Sequence, residues 1–449
     1  MLKLAERSLS LLLTALIFSC VQATRAQVTT RSVPVATTTE GARLQFVVIL
    51  TRHGVRSPTQ PPQEIDTYAA EAWPSWGVKP GELTAHGAKL IHQLASYDRA
   101  YLAAAGLLQP SGCADAPHIR IRADVDQRTR ETARIWAEGA LPGCHLTVDA
   151  MASGADPIFH ALATGVAKPD RELALASVNG RIGGNTTSLV ASHRHAFETL
   201  RYLLTGCAPI GPCAAEEKPG KQAVLKLKSE IDPGRGDRLA DVLGPLSTGS
   251  GLAENFLLEY TDGMPEKNLG WGRLNRENLL EVMSIHTLYE DVFRRDPYLA
   301  RAQISNLLSH ILRSMEQAVS NKEVPGALGK PGDRVLLVVG HDGNIANVGA
   351  MLGVSWLLDG YQRNDTPPGG ALVFELWKEA NGEFTVHAYY RAQSLDQMYK
   401  AVPLSLDEPP LRSRLFLSGY SRADADFSCS WNGFQRALEA AIDPAFVKP

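Results

Sequence analysis

The sequence lacks an excess of either charge: 45 Lys+Arg stand against 48 Asp+Glu, a formal net charge of −3 over 449 residues. A dedicated nucleic-acid binder needs surplus cations, or a stripe of them, to meet the phosphate backbone. That class is excluded, and any anion chemistry must come from a local cluster. No C-x-x-C, no Cys/His spacing of the zinc kind and no H-E-x-x-H pattern occurs, so neither a resident metal nor another cofactor is expected. No periodic repeat stands out. The apolar run over residues 9–18 falls well short of the roughly 20 residues that cross a bilayer, and no stable membrane association is expected. What is present is an ordinary globular composition, 44% hydrophobic and long enough for two or three domains.

The short apolar run has another meaning. Lys3 and Arg7 precede it and Ala23 and Ala26 follow, the charged, apolar and small-residue order of a secretory signal. Residues 1–26 are therefore expected to be removed and the protein to be periplasmic or secreted. Cys20 follows Ile17-Phe18-Ser19 as in a lipoprotein signal, but Phe18 fits such a site poorly. Export leaves Cys113, Cys144, Cys207, Cys213 and Cys429, in a compartment where thiols tend to pair. Four cysteines allow three pairings, and the sequence does not choose. Cys207 and Cys213 bracket a short Pro/Gly segment, as a loop staple would, whereas Cys113 and Cys144 flank a predicted strand and helix.

The β-branched run over 46–50 reads as a fully buried strand and stops at Thr51-Arg52-His53-Gly54. Thr84 is a good N-cap for a helix that ends near Gly106. Residues 119–123 read as a strand, 126–138 as a helix and 144–148 as another strand. From about 155 to 325 the apolar spacing becomes helical, with Leu308, Ile311, Met315 and Val319 forming one stripe. Strand signals return at 334–339, 371–377 and 384–391. The expected fold is α/β: a central, mostly parallel sheet flanked by helices, built from residues 43–154 and 326–449. A mainly helical second domain, 155–325, is inserted and lines the substrate pocket.

Two strand ends carry the chemistry. The first opens into Arg52-His53-Gly54-Val55-Arg56-Ser57-Pro58, the second into Gly340-His341-Asp342-Gly343-Asn344. In α/β sheets, ligands bind beyond the carboxyl ends of the strands, so neighbouring strands would turn both histidines into one pocket. Two guanidinium forks around His53 suit a tetrahedral dianion, with Gly54 allowing close backbone approach. Their field keeps an imidazole nitrogen free to attack phosphorus. A third strand end, Asp124-Val125-Asp126-Gln127-Arg128-Thr129-Arg130, runs into a helix whose first-turn arginine would complete the cradle. Asp342, kept protonated by burial or by a bound phosphate, is the best-placed acid for the leaving alcohol, and His341 is a phosphate donor.

These motifs resemble the branch of the histidine phosphatase superfamily that holds the histidine acid phosphatases and phytases. The likeness extends to Gly263-Met264-Pro265, to Gly270-Trp271-Gly272-Arg273 and to Asp365-Thr366-Pro367-Pro368-Gly369-Gly370. It implies a phosphoglycerate mutase-like sheet and an exported, metal-independent acid phosphatase that takes small phosphomonoesters. His53 would be the nucleophile and Asp342 the proton donor, with Arg52, Arg56, Arg130 and His341 on the phosphate. Thr59, Glu254 and His286 would touch substrate, and Cys113–Cys144 and Cys207–Cys213 would be disulfides. Tyr420 stands where a partner for Cys429 is expected.

Two departures bear on substrate. Gln60 replaces a lysine that would meet a highly charged inositol phosphate, and Gly343 replaces a hydroxyl residue, enlarging the site or removing a phosphate contact. Phytate, other inositol phosphates and sugar phosphates are all expected candidates, with a glucose-1-phosphatase-like enzyme as the alternative. A phosphoester-binding protein without turnover would need the arginines but neither His53 nor Asp342. A mutase-like transferase fits poorly with export and with the helical insertion.

Overall fold

The computed structural model describes residues 41–448, so the signal-peptide and lipidation readings lie outside the described residues. Among the described residues nine strands, β1 (Arg43–Arg52), β2 (Ile119–Ala123), β3 (Glu230–Asp232), β4 (Asp241–Leu243), β5 (Val335–Gly340), β6 (Ala371–Lys378), β7 (Phe384–Ala392), β8 (Leu411–Arg414) and β9 (Cys429–Ser430), form two sheets. The larger has the order β2-β5-β1-β6-β7-β8 with β9 also on β7, while β3 and β4 make a separate ribbon. The α/β class is as expected, but the large sheet is mixed. β5 is parallel to both β1 and β2, whereas β6, β7, β8 and β9 are joined by antiparallel pairings. The short 371–391 segments return by a hairpin, which needs no crossover helix.

Alternation along the central strands explains the layers. Phe46, Val48 and Leu50 of β1 and Leu336 and Val338 of β5 enter one core, shared with the long Pro297–Ser320 helix and the other helices of the chain's middle. Val47, Ile49, Val335, Leu337 and Val339 enter the other core, under the Ala85–Ala104 and Gln127–Ala140 helices. Each of these buried apolar side chains stabilises the sheet by roughly 1.5–3 kcal/mol, so the strand ends are firmly held.

The predicted helices appear with recognisable stops and starts. Thr84 caps its helix by accepting from the Gly87 N–H, and Asp296 caps Pro297–Ser320 with proline in the first turn. The strand expected over 144–148 is absent. His145 has a positive φ, and only Asp149 bridges to Arg122 on the edge of β2. Between β2 and β5 the chain runs mainly through helices, including Arg194–Thr205, Pro245–Thr261 and Arg276–Phe293. Among the described residues, no helix is long and apolar enough to cross a membrane.

Candidate active site

Arg52 pairs with Gly340 across β1 and β5, and Ala123 with Val339 across β2 and β5. The three carboxyl ends therefore emerge side by side and bring Arg52-His53, Asp124 and His341 together. The His53 N–H donates to Gly340 O, and the Gly369 N–H to His53 O, both at 3.0 Å. Gly54 also serves packing. A Cβ there would stand 2.8 Å from Ile91 and 2.9 Å from Leu83, so the missing side chain lets the turn pack under the Ala85–Ala104 helix.

His53 is buried, with Nδ1 2.8 Å from Gly54 O. A carbonyl only accepts, so Nδ1 carries the proton and Nε2 keeps its lone pair. Burial, reinforced by Arg52, Arg128 and Arg56, pushes the imidazole well below its ordinary pKa. The ring is neutral and faces His341, with centroids 5.6 Å apart.

Arginines surround this nitrogen. Arg52 Nη1 donates to Thr366 O at 2.7 Å, which gives the 365–370 motif its role, and Nη2 reaches Glu254 and lies 3.2 Å from Asp342. Arg56 Nη2 donates to both Glu254 oxygens at 3.1 Å. The third arginine is Arg128, whose Nη2 lies 3.5 Å from His341 Nδ1. Arg130, the residue expected there, is exposed and lines no part of the pocket. Residues two apart on a helix differ by about 200°, so the turn that buries Thr129 and Thr132 under the sheet brings only one of the pair inward. The Nε atoms of Arg52, Arg56 and Arg128 are buried without a protein partner. Each such donor costs about 1–3 kcal/mol.

His341 is oriented from behind. Its Nε2 lies 2.7 Å from Oδ2 of the fully buried Asp124, and His160 Nε2 meets the same oxygen at 2.7 Å. His160 Nδ1 is bonded in turn to Asp237. Burial opposes a charge on His160, but the two carboxylates outweigh it and push its pKa up to about 10. Asp124, His160 and His341 are the residues of suitable type for a metal among those described, and their convergence is accounted for by these hydrogen bonds. His160 was not legible in the sequence, where it sits in an unremarkable Asp156-Pro157-Ile158-Phe159 context.

Asp342 opens the Asp342–Met351 helix. Burial would raise its pKa, but Arg52 and Arg294 more than offset this and hold the carboxyl well below the usual range. The expectation of a protonated Asp342 is therefore not met while the cradle is uncharged by substrate. An inner chamber of about 240 Å³ holds His53, Arg128, His160 and His341. An outer one of about 360 Å³ holds Thr59, Gln60, Glu254 and His286, and Arg56, Arg294 and Asp342 line both. His286 Nδ1 is 3.1 Å from Ser250 Oγ, and its Nε2 is buried without a partner.

The profile of the histidine phosphatase superfamily (branch 2) matches residues 43–174 and 252–391. The chain belongs to that family. As a histidine acid phosphatase it is a phosphomonoester hydrolase. It is 36% identical to phytase AppA of Escherichia coli over 90% of this chain and 93% of that one, and 29% identical to the glucose-1-phosphatase of Salmonella typhimurium over 91% and 95%. Its fold superposes on the Hafnia alvei phytase in complex with tartrate with a TM-score of 0.82 at 30% identity, covering 92% of this chain and 100% of that one. The Citrobacter braakii phytase gives 0.81 at 29%, over 91% and 100%. In this histidine phosphatase Cys113–Cys144 and Cys207–Cys213 are disulfides, and Cys429 is free and buried.

Proposed function

We propose that the enzyme is exported and hydrolyses small phosphomonoesters, phytate or other inositol and sugar phosphates, through a phosphohistidine on His53 without a metal. The observation that carries this reading is the His53 ring, neutral, with Nδ1 tied to Gly54 O and Nε2 free among Arg52, Arg56 and Arg128. Nε2 attacks phosphorus as the ester P–O bond breaks, and the departing oxygen takes a proton from Asp342. Water then attacks the phosphohistidine, Asp342 takes its proton, the P–N bond breaks and phosphate leaves. The cationic groups spread the charge that develops on the equatorial oxygens.

Asp342 gains its proton through substrate. A phosphate in the cradle offsets the arginine charge that holds the empty site's carboxyl ionised, so donor and substrate are loaded together. Thr59, Glu254 and His286, on the outer chamber, contact the leaving group. The names of the relatives, phytase and glucose-1-phosphatase, support this substrate range, and the two disulfides support export.

Rapid quench with ³²P-labelled ester should trap an acid-labile phosphohistidine that His53→Ala abolishes, and turnover should survive excess chelator. Asp342→Asn should lower kcat/KM, which ends at leaving-group expulsion and so excludes the water attack, by about 10²-fold for alkyl phosphates and far less for activated aryl phosphates. Label on another residue, or equal slowing of both ester classes, would overturn the assignment. Specificity constants for phytate and glucose 1-phosphate then separate the two substrate readings.

A further inference from the structure

Arg294 ends the Arg276–Phe293 helix and lines both chambers beside Asp342, yet the chemistry above leaves its donors unused. Its Nη1 stands 3.5 Å from Gln303 Oε1 and its Nε 3.9 Å from Glu290 Oε1, neither a strong hydrogen bond. Arg52, Arg56 and Arg128 each have a donor within 3.1 Å of an oxygen. Gly343 explains how the guanidinium fits. A Cβ at that position would lie 3.2 Å from Arg294 Cζ and Nε, so the room left by the missing side chain is filled by a cation.

The position decides what that cation meets. With the scissile phosphate among Arg52, Arg56 and Arg128 and its leaving oxygen toward Asp342, the rest of the substrate extends past Arg294 into the outer chamber. Among the described residues lining that chamber, Arg56 is held by Glu254 and Arg238 by Asp241, whereas Arg294 has donors to offer. Gln60 supplies no charge. We infer that Arg294 is a specificity-determining residue that binds an anionic substituent, a second phosphate or a carboxylate, on the carbon next to the leaving oxygen. This rests on the proposed role of Asp342 as proton donor.

A matched pair tests it: 2-phosphoglycerate and glycerol 2-phosphate differ by one carboxylate beside the scissile ester, and phytate adds the vicinal phosphates. In Arg294→Gln the ratio of kcat/KM for 2-phosphoglycerate to that for glycerol 2-phosphate should fall about tenfold, the worth of a charge-assisted hydrogen bond. Phytate should follow, mainly through KM. Arg294→Lys should keep part of the ratio, and Gly343→Thr, which displaces the guanidinium without touching its charge, should lower it. An unchanged ratio, or equal loss on both esters in all three variants, overturns the inference. A wild-type enzyme that forms no phosphohistidine instead overturns the catalytic reading beneath it.

Discussion

The cradle and the outer chamber share a wall but are built differently. Cradle residues stand within a few positions of a strand end, and their backbone is hydrogen-bonded to neighbouring strand ends, as His53 is to Gly340 and Gly369. Chamber residues come mainly from two helices: Ser250 and Glu254 from Pro245–Thr261, His286 and Glu290 from Arg276–Phe293. Phosphoryl chemistry depends on sub-ångström placement of several groups at once, which a sheet edge supplies. Leaving-group recognition depends on charges that can be exchanged one at a time.

The difference is sharpest where the two arginines of one helix turn are compared. Removing Arg128 takes a charge-stabilising donor from the cradle, and Arg128→Ala should lower kcat/KM by about 10²–10³-fold on every ester, whatever its leaving group. Arg130→Ala should stay within about twofold, as for a solvated helix face. Steady-state kinetics on two unrelated esters decide the matter, and the reverse ranking would place Arg130, not Arg128, in the phosphate site.

That pair also marks how far the sequence could be read. The strands at 46–50 and 334–339 were legible because fully buried strands write themselves as nearly unbroken apolar runs, that at 119–123 because Ile and Arg alternate along it, and the motifs at their ends follow at once. Arg128 and Arg130 were not separable, because the phase of a helix depends on which face the sheet buries. His160 and Arg294 carried no local signal at all. Their roles arise only when residues 36 and 48 positions from Asp124 and Asp342 respectively fold against them. The missing strand at 144–148 fell to a positive φ at His145, which apolar alternation does not report.

Glu254 spans the two regions, and its removal should have a smaller effect than that of Arg128. Its carboxylate holds Nη2 of both Arg52 and Arg56, the donors that a phosphate oxygen would seek. Burial disfavours its charge, but Arg56 and Arg52 hold it ionised. Glu254→Gln keeps the shape and frees the arginines, so inorganic phosphate should inhibit about three- to tenfold more tightly at mildly acidic pH. Competitive inhibition constants measure this. Unchanged or weaker inhibition would mean that Glu254 supports the cradle instead of competing for it.

The same Pro245–Thr261 helix offers a control with little effect on catalysis. Glu259 lies on the core-facing side, fully buried, where Oε2 accepts from the Gly270 N–H at 2.9 Å and Oε1 has no partner. With no arginine beside it, burial dominates and pushes its pKa up to about 8 from the ordinary 4.5. The folded protein therefore holds a proton that the unfolded chain has released, between about pH 4.5 and 8. The stability this contributes is complete below the lower value and is lost as pH rises through the upper one. Glu259→Gln removes the titration, so its melting temperature should gain on the wild type as pH climbs from 4.5 to 7. The gain should be on the order of 3 kcal/mol, or a few degrees, with kcat nearly unaltered. Parallel melting curves for the two proteins across that range would show that Glu259 is ionised in the fold. One helix would then carry two charged carboxylates, and the contrast between its pocket face and its core face would disappear.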